Sequence, residues 1–275
     1  MNTQITILHA AIYVLSTAAV LSVLYLVFKK KRSREDKRGL TGMEKLLLAL
    51  TIAGIALISI FVIARIVNTG HATFTNMFEF SIAFGWGILV FCVFFSFRYR
   101  SIAINLAGLI LSTGLLLYAN TLSPEVSPLV PALQNSFLLT AHVLSAVVAY
   151  GAFTVGFFTS LVLLVRKKDS AGILPGAETL GRISYHSVMI GFPFMTLVIV
   201  LGALWADVAW GRYWGWDPKE TASLVTWLIY AVYLHTRVVH KWKGKKSAIL
   251  LVIGFLAVIL TFFGNYIFNG LHSYI

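Results

Sequence analysis

Long apolar runs, separated by short polar stretches, dominate the chain. A hydrocarbon core about 30 Å thick takes about 20 apolar residues per helix, and runs of that kind cover 7–28, 46–67, 77–97, 102–118, 137–165, 188–206, 221–239 and 247–268. They predict an all-α, polytopic membrane protein of about eight transmembrane helices, because only helices satisfy their own backbone within such runs. The first run carries no basic residue ahead of it and a basic cluster behind it, the reverse of a secretory signal, so it is read as a true first helix. No low-complexity stretch, clear repeat or convincing pair of broken helices of the transporter type interrupts the pattern.

Composition supports this reading. Of 275 residues, 59% are apolar and 12% are charged, against roughly 25% charged in soluble domains, and the mean hydropathy is +0.85. A soluble globular enzyme and a disordered chain are both excluded. The formal charge of +12 first suggests an anionic partner. With the N-terminus outside, however, nineteen of the 22 Lys and Arg fall on the cytoplasmic side, leaving Arg65, Arg212 and Lys219 outside. Acidic residues divide evenly, so the inner side carries +14 and the outer side −2. This is the positive-inside asymmetry; it places both termini extracytoplasmically and removes the reason to invoke nucleic acid. The asymmetry also supports the fourth run, which is only 17 residues long, since without it every later loop would change sides.

Cys92 is the sole cysteine, so the chain by itself forms no disulfide framework, cysteine zinc site or Cys-x-x-Cys-His haem attachment. Metal chemistry is left to histidine and carboxylate. Outside segments remain at 68–76, 119–136 and 207–220. Four of the seven tryptophans, Trp205, Trp210, Trp214 and Trp216, fall around the last of these, a Trp-rich external loop between helices six and seven. One or two would be explained by an interfacial aromatic belt. Four, interleaved with Tyr213, Gly211 and Gly215, predict a flat aromatic surface that a planar apolar ligand can approach closely.

Asp217-Pro218-Lys219-Glu220 has the spacing of a capping box with proline at the first helical position, which accounts for Asp217 and Glu220 as the start of helix seven. Asn76-Met77-Phe78-Glu79 has the same spacing before helix three. Arg212 and Lys219 are candidates to pair with a ligand's carboxylates.

Seven histidines sort by depth. His9 and His71 lie near the outer surface without supporting context, and solvation explains His240 in the basic inner loop. His142, five residues into the fifth run, and His272, beyond the eighth, share the outer side with the tryptophans. Two neutral imidazoles there would suit an iron porphyrin, whose flat ring needs aromatic walls and whose propionates need cations. His235 lies about 21 Å along the seventh helix from Thr221 at 1.5 Å per residue, in the inner half of the bilayer, where ionisable groups usually mark a pathway or cofactor. His186 is read as interfacial, with pairing to His235 as the alternative.

The run WADVAWGRYWGWDPKETASLVTWLIYAVYLHTR over 205–237, with GLHSY at 270–274, resembles the tryptophan-rich (WWD) haem-handling proteins of cytochrome c maturation. The similarity is greatest to the CcsA/ResC subunits, also named CcsB, of the system II cytochrome c synthase. It extends upstream through Gly191-Phe192-Pro193, the His142 helix and the segment from Asn76 to Glu79. It thus divides the chain into an N-terminal two-helix segment, 1–72, and a haem-handling membrane domain, 73–275.

The resemblance implies haem b as transient substrate, with His142 and His272 as outer iron ligands, His235 as a transmembrane iron ligand, and Trp205, Trp210, Trp214, Trp216, Asp217, Arg212 and Lys219 around the haem. It implies a ResB-type membrane subunit supplying the other transmembrane ligand, and apocytochrome c as acceptor. It also implies a bacterial cytoplasmic or thylakoid membrane, and a synthase subunit rather than a stand-alone enzyme. The expected function is haem delivery and presentation for covalent attachment. The rival expectations are a HemX-like regulatory membrane protein, a b-type electron carrier and a transporter whose Trp loop is a lid.

Overall fold

The computed structural model describes residues 2–28, 39–70, 72, 74–126, 136–166 and 174–267. Those residues form eight helices and no strand: α1 (Asn2–Phe28), α2 (Gly42–Thr69), α3 (Met77–Tyr99), α4 (Ile102–Ala119), α5 (Ser136–Val165), α6 (Ala177–Trp210), α7 (Pro218–Val238) and α8 (Lys245–Ile267). Seven are long and apolar enough to cross a membrane. The exception is α7. It has the 21 residues that a crossing needs, about 32 Å at 1.5 Å per residue, but Lys219, Glu220, His235 and Arg237 at its ends lower its hydropathy. It packs along α8 and α6 within the bundle.

Local chemistry sets the helix starts and stops. Thr41 begins α2 and Asp217 begins α7 with complete capping boxes, through Glu44 and Glu220, satisfying backbone N–H groups that a helix start leaves open. Gly70 and Gly211 end α2 and α6 in left-handed conformation, at φ 73° and 71°. A side chain would resist that conformation.

Contacts between helix ends show that successive helices run up and down. At one end, His9 Nε2 lies 2.8 Å from Asn120 Oδ1, joining the start of α1 to the end of α4. At the same end Arg65 of α2 meets Glu79 of α3. At the other end Tyr25 meets Thr41, Tyr99 hydrogen-bonds His186, and Arg237 donates to the Gly181 carbonyl. The charge asymmetry makes the first end the outer one.

Two cores share α3. One gathers α1, α2, α3 and α4 around residues such as Leu8, Ile58, Phe78 and Leu109. The other gathers α3, α5, α6, α7 and α8 around Phe84, Phe153, Met195, Tyr230 and Phe255. Lipid is as apolar as these side chains, so close backbone approach and hydrogen bonds between helices must add the specificity. A Cβ on Gly151 would stand 2.8 Å from the Gly87 carbonyl oxygen, which shows how tightly α5 crosses α3. Single hydroxyl bonds join neighbouring helices: Trp86 Nε1 to Ser59, Asn105 Nδ2 to Thr51 and Trp227 Nε1 to Thr196, each at 2.9 Å, and Thr159 with Ser184 at 2.8 Å. Cys92 is buried in the bundle.

Candidate functional site

The second core opens at the outer end into a cleft with about 140 Å³ of free space. Helices α3, α5, α6, α7 and α8 form its walls and the 211–217 loop its rim. Phe80, Phe84, Tyr150 and Phe262 supply apolar wall, and His142, Trp205, Trp214, Lys219 and Glu220 face the same space. Phe84 stacks on Tyr150 at 5.4 Å and meets Phe262 edge-on at 4.9 Å, so this wall is a packed aromatic surface.

His142 is held in a defined orientation. Its Nδ1 lies 2.9 Å from the Val198 carbonyl oxygen. A carbonyl can only accept, so Nδ1 carries the proton and the imidazole lone pair resides on Nε2, the arrangement that suits a metal ligand. Room for the ring comes from Gly202, where a Cβ would stand 2.9 Å from His142 Cε1. Trp205, buried beside it, lies nearly parallel to the imidazole, with an interplanar angle of 20° and centroids 6.4 Å apart.

The tryptophans do not share one plane. Trp205 and Trp210 meet at 71°, and Trp214 and Trp216 at 90°. Of the four, Trp205 and Trp214 line the cleft, Trp210 packs against Trp205, and Trp216 projects outward at 69% exposure. Glu220 clamps this rim, its Oε2 accepting from the backbone N–H groups of Gly215 at 2.8 Å and Asp217 at 3.1 Å. Between those two bonds Trp216 sits at φ 55°, a conformation that bulky residues avoid. Asp217 Oδ1 accepts from Lys219 N, so its carboxylate caps α7 as its spacing predicts.

The two outer cations of this region part company. Lys219 precedes the apolar stretch that begins at Thr221 and reaches the cleft. Burial lowers its pKa from 10.5 to about 8, partly offset by the nearby Asp217 carboxylate. Arg212 instead lies exposed over Gly215, where a Cβ would stand 2.7 Å from its Nε, and it is not among the cleft residues.

Behind the lip formed by Phe74 and Thr75, Arg65 and Glu79 make a buried ion pair at 2.6 Å with side-chain exposures of 3% and 1%. Glu79 Oε2 also accepts from the backbone N–H and hydroxyl of Thr75. Asn76 caps α3 as expected, accepting from Glu79 N at 3.0 Å. The Glu79 carboxylate therefore has a further role that the cap spacing does not reveal: it ties α2 to the lip of the cleft.

At the inner end His235 occupies the last turn of α7 and is exposed. Exposed Val225, Leu228, Val232 and Val239 share its outward-facing stripe. His186 is hydrogen-bonded to Tyr99. The imidazole beside His235 belongs to His240, with centroids 5.5 Å apart, and His240 is exposed, as expected of its place in the basic loop. His71 and His272 lie outside the described residues, and among those residues no three His, Cys, Asp or Glu side chains cluster as a metal site.

These features define a polytopic helical membrane protein with an aromatic cleft at its outer face. The chain belongs to the cytochrome c assembly protein family, whose model matches residues 74–272. It is 36% identical to the cytochrome c biogenesis protein CcsA of Chlamydomonas reinhardtii over 273 residues, covering 94% of this chain and 73% of that protein. The CcsA proteins of Trieres chinensis and Gloeobacter violaceus are 34% and 32% identical, covering 77% and 81% of this chain and 80% and 84% of theirs. This membership gives the protein a role in cytochrome c maturation. Outside the matched region, α2 still reaches the lip through Arg65.

Proposed function

We propose that the protein binds haem b in the outer cleft and presents it to apocytochrome c for covalent attachment. The observation that carries this reading is His142, whose Nδ1–H is fixed on Val198 so that Nε2 bears the lone pair, inside a cleft walled by aromatics and reached by Lys219. The donor set fits haem: an imidazole for iron, ring faces for the macrocycle and an ammonium for a propionate. His272, five residues beyond the end of α8, is the expected second outer ligand. Attachment adds each cysteine S–H across a vinyl double bond, sulfur to one carbon and hydrogen to the other, with no net change in electrons. The chain contributes position and iron ligation, which matches a synthase subunit whose acceptor brings the thiols.

The inner half of the proposal rests on His235. An imidazole in the last turn of α7, on a stripe of exposed valine and leucine side chains, suits burial by a neighbouring helix. A ResB-type membrane subunit carrying a second imidazole would bury it and complete a transmembrane haem site, in a bacterial cytoplasmic or thylakoid membrane. A permanent b-type carrier would call for imidazoles facing each other inside the bundle, and His235 faces out of it.

The test is absorption spectroscopy of the purified chain with its partner. Replacing His142 and His272 by Ala is expected to abolish the outer haem signal and cytochrome c maturation; unchanged haem and maturation would refute the assignment.

A further inference from the structure

His240 lies five residues after His235, and on a continuing helix it would point about 140° away from it at 3.6 residues per turn. The backbone is still right-handed at Val239, with φ −81° and ψ −55°, and turns only after His240, where Lys241 adopts a left-handed φ of 56°. Two bonds hook the loop back under α7: Trp242 N–H to the Thr236 carbonyl at 3.1 Å, and Arg237 Nη1 to the Trp242 carbonyl at 2.7 Å. Arg237 Nη2 also donates to the Gly181 carbonyl at 3.1 Å, anchoring the hook to α6. The hook thus fixes the backbone that follows His240, whose imidazole lies beside that of His235.

The same hook gathers other groups. Lys246 Nζ lies 5.9 Å from the Trp242 ring centroid, and Lys241, Lys243, Lys245 and Lys246 are all exposed around it. An exposed imidazole, an accessible indole and several ammonium groups match the chemistry of an iron porphyrin dicarboxylate: a ligand for the metal, a surface for the ring and cations for the acids. With centroids 5.5 Å apart, the two imidazoles stand next to each other, so an iron released by one is within reach of the other.

We propose that His240 is the first inner-face acceptor of haem and passes the iron to His235. The transfer is a ligand exchange: the iron–His240 bond breaks and the iron–His235 bond forms in its place, with no electron moved. Trp242 supports the macrocycle and the lysines hold the propionates during the exchange. This inference rests on His235 being the transmembrane ligand and adds the residue that loads it.

Rapid-mixing absorption of ferric haem with the full chain and its membrane partner tests the relay. His240→Ala is expected to slow loading of the His235 site about tenfold, the lower end of what losing a supporting group costs a metal site, while the final spectrum stays that of wild type. In His235→Ala a weak haem signal should persist and vanish when His240 is also replaced. Wild-type loading in His240→Ala would overturn the relay while leaving His235 in place. A wild-type final spectrum in His235→Ala would overturn the transmembrane site itself. Saturable zinc binding by the pair, with haem loading indifferent to His240, would make it a divalent-metal site and overturn the relay. His240 is exposed, and circular dichroism of the variant is expected to match wild type.

Discussion

At the outer end His142 turns into the bundle, fixed on the Val198 carbonyl and flanked by Trp205 in an aromatic cleft. At the inner end His235 turns out of it, among Val225, Leu228, Val232 and Val239 at the spacing of a seven-residue repeat. The first arrangement creates an internal binding wall from this chain's own helices. The second suits completion by another helix, because a 3,4 spacing of apolar residues is the pattern by which helices pack along each other. The two ends are therefore expected to respond to different perturbations: the outer to changes in internal packing, the inner to changes in what covers the surface.

The largest expected effect comes from the ion pair behind the outer lip. Removing one partner of a buried salt bridge strands the other and costs about 3–5 kcal/mol. Arg65→Ala is expected to lower the thermal midpoint in detergent and to accelerate loss of haem from the outer cleft, because Glu79 would lose Arg65 while still holding Thr75. Inner haem, monitored through its dependence on His235, should be retained at temperatures where the variant is folded. Equal loss at both ends would break the distinction between them.

A smaller, more local perturbation is Gly202→Ala. Its Cβ would stand 2.9 Å from His142 Cε1 and 3.1 Å from Nδ1, so the ring must shift or the helices part, at about 1–3 kcal/mol for overpacking. The predicted signature is an altered or lost outer haem spectrum with His235-dependent haem unchanged. Combined with His142→Ala, the added methyl should cost less than it does alone, since the clashing ring is gone.

Lys219 separates the ends by pH. Its ammonium is disfavoured by burial, with a pKa near 8, so the cation available to a propionate disappears as pH rises through that value. Outer-cleft affinity for haem is expected to fall about tenfold between pH 7 and 9, consistent with losing a charge-assisted hydrogen bond worth about 1.5–3 kcal/mol. Lys219→Gln should flatten the profile. Without haem the sign reverses: between pH 8 and 10.5 the unfolded chain binds more protons at this site than the folded one, so this group's contribution to stability rises with pH. Haem titrations at stepped pH, beside thermal melts of the haem-free protein, check both directions.

What could be read from the sequence follows the range of the interaction. Apolar runs located all eight helices, although α6 begins at Ala177, eleven residues before its apolar run, because the turns containing Glu178 and Arg182 are too polar to register as a span. The Asp217–Glu220 box was legible because its partners are neighbours in sequence. Gly202 beneath His142 and Arg65 opposite Glu79 were not, since hydrophobic runs leave open which helix faces meet. Nor was the approach of His240 to His235, since residues five apart on a helix point about 140° from each other and only the folded side chains bring these rings together. Four clustered tryptophans pointed to the cleft, but their division into two wall residues, one supporting residue and one outward residue is a property of the folded loop.

The smallest effect on stability belongs to Trp216, the outer end's own outward-facing ring. A non-glycine residue in the left-handed region costs roughly 1–2 kcal/mol, and the bonds from Glu220 to the N–H groups on either side hold it there. Trp216→Gly relieves the strain but gives the unfolded chain more freedom, so the net change in stability is expected to stay within about 1 kcal/mol. The ring, 69% exposed and perpendicular to Trp214, is nevertheless removed from the edge of the cleft. If it helps position haem or the incoming apocytochrome, covalent attachment should fall while the thermal midpoint and the His142-dependent spectrum hold steady. If attachment is unchanged, Trp216 is an interfacial anchor of the kind that membrane proteins carry at either surface, and the outer end then differs from the inner one in having no functional group turned away from the bundle at this position.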